Sequence, residues 1–248
     1  MERISTGGSA VDALTAPQEL RERLKTQRLS ILVGSDLHGS FSGFEWFSAQ
    51  AVALQPQLII FLGDFITVKP LDFLQDTLRD LRNLAPACFV IPGNWDPRES
   101  LPVMDTEAFD GLKHLHKSTA FFGGYTFVGL GGSNTTPIGT TPMEMPDETL
   151  AAPLPSLLPA DIWLLHTPVM GFRDQNAAGN NCGSEELAKI YREQEIPPRL
   201  VLSGHIHEAR GSETAGSTVF VNPGTLQERE AAWINLEGDE VSVEMLEG

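Results

Sequence analysis

Cysteine is scarce in this chain: two among 248 residues, Cys88 and Cys182, in no C-x-x-C pattern. That excludes a disulfide framework and a thiolate zinc knuckle. Cys88 opens an apolar run and reads as a buried thiol; Cys182, in a Gly/Asn loop, has no assigned role. Positive charge is scarce too. Lys plus Arg is 17 against 33 Asp plus Glu, a formal net charge of −16. Such a field repels a polyanion backbone, and no basic, aromatic-rich stripe offsets it, so long nucleic acid is disfavoured as a partner. No apolar run nears the ~18 residues of a membrane span. The N-terminus lacks a basic region followed by an apolar one. The expectation is a cytoplasmic protein with no membrane partner; a homo-oligomer stays open. Neither an internal repeat nor a dividing linker is visible. Hydrophobic residues make up 41%, which favours a folded core over disorder.

What is present is a repeated local pattern. Residues 1–29 form a polar tail followed by a short predicted helix over Pro17–Leu29, with Thr15 and Gln18 spaced as a capping box. From Ser30 to Gly248 a single α/β domain is expected. Ile31-Leu32-Val33 reads as a buried strand, then Gly34-Ser35-Asp36-Leu37-His38. A helix follows, with Ser42 and Glu45 as a capping box and Phe44, Phe47, Ala51 and Leu54 on one face. Leu58–Leu62 is continuously apolar, as in a sheet covered on both faces, and ends in Gly63-Asp64. A helix through Leu71, Leu74, Leu78 and Leu81 leads to the strand Cys88–Ile91, which ends in Pro92-Gly93-Asn94-Trp95-Asp96. Alternating strand and helix argues for a parallel sheet.

The second half changes character. Phe121–Val128 reads as a hairpin on Gly123-Gly124. A Thr/Pro-rich stretch from Thr135 to Pro155 reads as a loop outside the core. Ile162–Leu165 is a strand ending at His166, and Thr167–Gly183 is a long loop. Ser184 starts a helix. Leu200-Val201-Leu202 then ends in Ser203-Gly204-His205-Ile206-His207, and Val219–Val221 and two closing strands follow. His114 and His116 copy the His-x-His spacing, but no strand-Gly signal precedes them. Their flanking lysines suggest a solvated edge strand.

Five strand ends therefore carry Asp36 and His38, Asp64, Asn94, His166, and His205 and His207. Singly, each has an ordinary structural explanation as a turn, cap or hydrogen-bonded histidine. Together they make seven nitrogen and oxygen donors, more than one tetrahedral zinc takes. The set suits two metals sharing a carboxylate, the arrangement that clamps a phosphoryl displacement. Carboxylate, amide and imidazole without thiolate suit Mn²⁺, Fe or Zn²⁺.

In this order the blocks resemble the calcineurin-like metallophosphoesterases, over roughly Ser30 to Gly224. The segments Phe122–Asn134 and Val221–Gly224 are similar to the small prokaryotic, phosphodiesterase-like branch. The resemblance implies a four-layer αββα sandwich of two mixed β-sheets flanked by helices. It implies that Asp36, His38 and His207 hold one divalent ion, that Asn94, His166 and His205 hold the other, and that Asp64 bridges. It also implies attack on phosphorus by a metal-bridging hydroxide, with Asp64 and Asn94 catalytic and a small phosphodiester or activated phosphomonoester as substrate. One position departs from the family. Where it reads Gly-Asn-His-Asp, Trp95 stands here, and an indole does not titrate near neutrality. Asp96 is read as structural. Arg98, Arg173 and Arg210 are the candidate phosphate-binding cations, and Trp95 and Asn134 candidate pocket-lining residues. Other readings are a non-catalytic protein-interaction scaffold of the same fold, a nuclease, and a lipid-sugar pyrophosphate hydrolase. The charge opposes the nuclease, and no amphipathic membrane helix supports the last.

Overall fold

The computed structural model describes residues 28–67, 70–105, 111–136, 139, 141–238 and 240–248. The predicted helix Pro17–Leu29 lies outside these, apart from its last two positions. There Leu29 already pairs with Leu236 as the first residue of a strand.

The first half follows the expected alternation: β1 (Leu29–Gly34), α1 (Phe41–Leu54), β2 (Leu58–Phe61), α2 (Leu71–Leu84), β3 (Ala87–Val90), α3 (Ser100–Met104) and β4 (Leu112–His114). The β1, β2, β3 and β4 strands pair in parallel. The α1 cap differs from expectation. Ser40, not Ser42, is the N-cap, and its side chain accepts from the Gly43 amide. A capping side chain must precede the first helical residue, and helical geometry already begins at Phe41.

The hairpin is present as β5 (Ser118–Phe122) and β6 (Tyr125–Leu130), antiparallel across the Gly123-Gly124 turn. After it come β7 (Ser133–Asn134), β8 (Glu144–Met145), α4 (Asp147–Ala151), β9 (Ile162–Leu165), α5 (Glu185–Arg192), β10 (Leu200–Leu202), β11 (Gly211–Ala215), β12 (Thr218–Asn222), β13 (Glu230–Glu237) and β14 (Glu240–Glu247). The α5 helix begins as predicted, with Ser184 accepting from the Leu187 amide. The stretch from Thr135 to Pro155 is not simply a loop outside the core. It supplies β8 and α4, and buries Met143, Leu150 and Leu154. Prolines break it into short pieces whose apolar residues still face inward.

Two six-stranded sheets result, in the orders β14-β13-β1-β2-β3-β4 and β11-β12-β10-β9-β6-β5. The first is parallel from β1 to β4, with β13 and β14 antiparallel on one side; the second is parallel at its centre with β11 and β5 antiparallel at its edges. Side chains alternate across the strands. Ile31, Val33, Leu58 and Ile60 enter the layer between the sheets, where they meet Phe127, Ile162, Leu164 and Leu202. Leu32, Ile59 and Phe61 face the other way, onto Phe47, Leu74, Leu78 and Leu81 of α1 and α2. The second sheet turns Val128, Trp163, Val201 and Phe220 toward Leu150 and Leu187 of α4 and α5. The layering is helix, sheet, sheet, helix. Burial on both faces accounts for the continuous apolar runs.

The β4 strand lies at a sheet edge, as the flanking lysines suggested, but His114 within it and His116 beyond it are partly buried. The His114 side chain is 7% exposed, with Nδ1 2.7 Å from Asp105 Oδ1. His116 Nδ1 accepts from the Gly131 amide at 3.0 Å. Burial, reinforced by Lys117 and His114, pushes the His116 imidazole down to about 3. Its folded pKa is thus below the ~6.5 of an unfolded chain. The stability it contributes is present above pH 6.5 and is lost as pH falls from 6.5 toward 3. The advantage of wild type over His116→Asn in urea unfolding should therefore shrink by about 2 kcal/mol between pH 7.5 and pH 5. An advantage that stays constant would show that His116 is not held neutral.

Candidate metal centre

All five predicted strand ends meet at one end of the two sheets. The turn after β1 is laced to the turn after β2. The Asp36 amide donates to the Gly63 carbonyl at 3.0 Å, that of His38 to Asp64 at 2.8 Å and that of Gly39 to Phe65 at 2.8 Å. The second sheet is tied in through His166, whose Nδ1 lies 2.7 Å from the Leu62 carbonyl oxygen, and through the His205 amide, which donates to Asp36 Oδ2 at 3.1 Å.

Asp36, His38 and His207 offer donor atoms within 4.8 Å of one another, and so do Asp36, Asp64 and His166. The ring centroids of His166 and His205 are 5.1 Å apart. Asn94 Oδ1 lies 2.9 Å from His166 Nε2. All seven predicted residues are therefore together. The two triads share Asp36, yet Asp64 is the better-placed link. Its Oδ2 lies 3.6 Å from His38 Nε2 and 3.5 Å from His166 Nε2, so it reaches one histidine of each predicted set. Asp36 Oδ1 lies 3.2 Å from His207 Nε2 and 3.8 Å from His38 Nε2.

Backbone strain marks the same place. Asp36, His38, Asp64 and His205 have φ of 56°, 48°, 55° and 67°. Left-handed geometry costs a residue with a β-carbon roughly 1–2 kcal/mol, and such cost collects at functional sites. Glycines open the remaining room. A β-carbon on Gly93 would stand 2.0 Å from Asp64 Oδ1, and one on Gly204 would stand 2.0 Å from Ser35 Oγ and 2.6 Å from Asp36 Oδ2.

The electrostatics call for a cation. Asp36 and Asp64 are each 1% exposed. Burial opposes ionisation of Asp36, but His207, His166 and His38 hold its carboxyl well below the usual range. Burial pulls His166 down, yet the Asp64 carboxylate overcomes this and raises it to about 9. Its Nδ1 proton is engaged by the Leu62 carbonyl. Nε2 therefore faces two oxygens, and only a second proton or a metal ion satisfies that geometry. Burial holds His205 down, to about 4, leaving it neutral with a lone pair to give. A divalent cation fits this donor set.

Several supporting residues were not singled out from sequence. Thr67 Oγ1 lies 2.8 Å from His38 Nδ1. Asn222 Nδ2 donates to the Ile206 carbonyl at 2.9 Å, propping the His-x-His turn. The Thr225 hydroxyl donates to the Asp36 carbonyl at 2.8 Å. Asp96, read as structural, accepts from the amides of Asp64 at 2.9 Å, Ile66 at 3.1 Å and Gly93 at 2.8 Å. Long-range partners of this kind leave no local sequence signal.

A family model described as metallophosphoesterase, calcineurin superfamily, matches residues 20–246. The chain belongs to that superfamily. Its members are in general phosphoester hydrolases. An uncharacterised protein of Methanocaldococcus jannaschii is 30% identical over 139 residues, 54% of this chain and 62% of that protein. A UPF0046 protein of Caenorhabditis elegans is 38% identical over 66 residues, 25% of this chain and 23% of that protein. The match thus spans less than two thirds of either relative. Among solved structures, a Thermus thermophilus protein superposes with TM-score 0.66 at 22% identity, covering 88% of this chain and 99% of that one. A dimetal phosphatase from Danio rerio gives 0.60 at 12%, covering 88% and 95%, and an archaeal phosphodiesterase 0.53 at 13%, covering 88% and 100%. These likenesses concern the fold.

Two of the three candidate arginines of this metallophosphoesterase are engaged within the chain. Arg173 donates through Nε to the Ala209 carbonyl at 2.9 Å and through Nη2 to that of Arg210. Arg210 faces Glu230 at 3.3 Å and Glu247 at 3.5 Å. Arg98 lies exposed ahead of α3. Trp95 is 39% exposed, and its amide donates to Asp64 Oδ1 at 2.8 Å, which holds the indole beside the cluster. Asn134 is half-buried, with a side-chain oxygen that has no hydrogen-bond partner. Beyond His207, a polar cleft of about 210 Å³ opens between the 167–183 loop and Glu208, Ala209 and Glu213. A wider cleft of about 530 Å³ at the β13–β14 turn touches none of these residues. No described helix is long and apolar enough to cross a membrane.

Gly204→Ala forces its methyl against the Ser35 hydroxyl and the Asp36 carboxylate. The expected cost is about 1–3 kcal/mol, or several degrees in thermal melting. A variant that melts with the wild type would show that this contact relaxes freely.

Proposed function

We propose that the chain hydrolyses a small phosphodiester, or an activated phosphomonoester, at a centre of two divalent metal ions. The observation that carries this reading is the convergence of seven nitrogen and oxygen donors in two adjoining sets, with Asp64 Oδ2 3.6 Å from His38 in one and 3.5 Å from His166 in the other. On this reading Asp36, His38 and His207 hold one ion, Asn94, His166 and His205 the other, and Asp64 links them. Ions of this kind, when bound, supply Lewis acidity toward phosphoryl oxygens and a nucleophile at neutral pH.

The chain's own groups do the rest. The Leu62 carbonyl, by accepting from Nδ1, turns His166 Nε2 to the centre. Thr67 does the same for His38, whose Nδ1 it meets at 2.8 Å. Asn94 presents its amide oxygen beside His166. Asp96, holding three amides, keeps the turns of Asp64 and Gly93 in register. At the mouth Trp95 offers an apolar face on which a phenyl ring or base can stack. Trp95 offers no titratable proton to a departing oxygen, which favours substrates whose leaving group departs as a stable anion.

Purified protein should carry about two metal ions per chain and release nitrophenol from bis(p-nitrophenyl) phosphate when supplied with Mn²⁺. Asp64→Asn should lower that rate on the order of 100-fold or more while leaving circular dichroism unchanged; full activity in this variant would remove the bridge. Inactivity of the wild type toward all phosphate esters would favour the scaffold reading.

Across substituted phenyl phosphodiesters, the rate should rise steeply as the leaving-group pKa falls. A flat dependence, with chemistry limiting, would show that another residue donates the proton.

A further inference from the structure

Asn94 is gripped by a segment that carries none of the seven donors. Beside the paired β7 and β8 strands, the Met143 amide donates to the Asn94 carbonyl at 3.1 Å, and the Ser133 amide donates to the Met143 carbonyl at 3.2 Å. The Asn94 side chain is held as well. Its Nδ2 donates to Thr141 Oγ1 at 3.1 Å. Thr141 is in turn bound to Glu144, whose Oε2 accepts from the Thr141 amide at 3.0 Å and faces the hydroxyl at 3.5 Å. The other carboxylate oxygen takes the Thr136 amide.

The direction of these bonds matters. A hydroxyl has one proton and two lone pairs, and an ionised carboxylate only accepts. The Thr141 proton is therefore drawn toward Glu144, 3.5 Å away, which leaves the hydroxyl to accept from Asn94 Nδ2. Nδ2 must face Thr141, so Oδ1 must face the other way, where His166 Nε2 lies at 2.9 Å. Only the oxygen of a carboxamide has a lone pair suited to a hard or borderline cation. The amide flip thus decides whether Asn94 presents a donor or two N–H groups to the centre.

We propose that Thr141 and Glu144 are positioning residues that set the flip of the Asn94 carboxamide, so that its oxygen is presented as a metal ligand. The proposal rests on the metal-centre reading above, and its test separates the two. Mn²⁺ is titrated by calorimetry into the metal-free wild type, Thr141→Val, Thr141→Ser and Glu144→Gln. Melting of each metal-free protein and kinetics on bis(p-nitrophenyl) phosphate are measured alongside. Thr141→Val removes the acceptor at nearly constant volume. Glu144→Gln supplies an N–H to the hydroxyl and frees its proton to point at Asn94.

The expected result is a 10–100-fold weaker affinity for one of two ions in both variants, with a parallel fall in kcat and little change in metal-free melting. Thr141→Ser should restore both quantities. Wild type binding two ions, with Thr141→Val and Glu144→Gln binding both as tightly, overturns this proposal alone. So does a Thr141→Ser variant as impaired as Thr141→Val when both melt early, since the role is then only structural. Wild type that takes up no Mn²⁺ overturns the metal-centre reading and this inference with it.

Discussion

Two carboxylates buried side by side set the terms for this molecule. Asp36 and Asp64 are each 1% exposed, and Asp96 beneath them is fully buried. Removing such groups from water costs several kcal/mol per charge unless partners replace the solvent. The three are satisfied differently. Burial and the neighbouring Asp64 push Asp96 up to about 7, against the amides of Gly93 and Ile66, which pull it back. It is matched by backbone. Asp36 and Asp64 instead face imidazoles from both sheets. The cluster needs positive charge where those imidazoles converge, and the sandwich fold brings the strand ends together there.

That convergence comes with local conformational strain. Four of the seven donors sit at positive φ, and Gly93 and Gly204 approach the two carboxylates more closely than any β-carbon allows. Continuous apolar strands are what make such turns tolerable. The β1, β2, β9 and β10 strands are buried along their whole lengths, and burying each large aliphatic side chain contributes about 1.5–3 kcal/mol. A rigid frame of that kind holds side chains in arrangements that a loop alone would relax. The seven donors are thus placed on the first residues after the chain leaves the sheets.

The same contrast explains what could be read in the sequence. Short-range signals were legible. Continuous apolar runs marked the central strands, helical spacing marked α1 and α2, Gly123-Gly124 marked the hairpin, and the recurrence of strand-glycine-donor gathered all seven donors. Signals that depend on a distant partner were not. Ser40 and Ser42 are equally good caps by type, and only the start of helical geometry at Phe41 decides between them. Leu150 and Leu154 looked like loop residues because prolines divide their segment, yet they pack beneath the second sheet. Arg210 looked like a phosphate ligand from its place after His207, but Glu230 and Glu247 already meet its charge. Thr141, 47 residues from Asn94, and Asn222, 16 from Ile206, act through hydrogen bonds that no spacing rule anticipates.

The acidity of the chain fits the proposed substrate class once length scales are separated. A net charge of −16 acts over a Debye length of about 8 Å at physiological salt. A small ester fits within the donor cluster and its rim, where nearby groups dominate. A polynucleotide must also lie across the surrounding surface, and there every further phosphate meets the acidic field. With Arg173 and Arg210 engaged internally, neither offers a guanidinium fork to hold a second phosphate. Substrate size, more than affinity for phosphate as such, is then what separates a small phosphodiester from nucleic acid at this site.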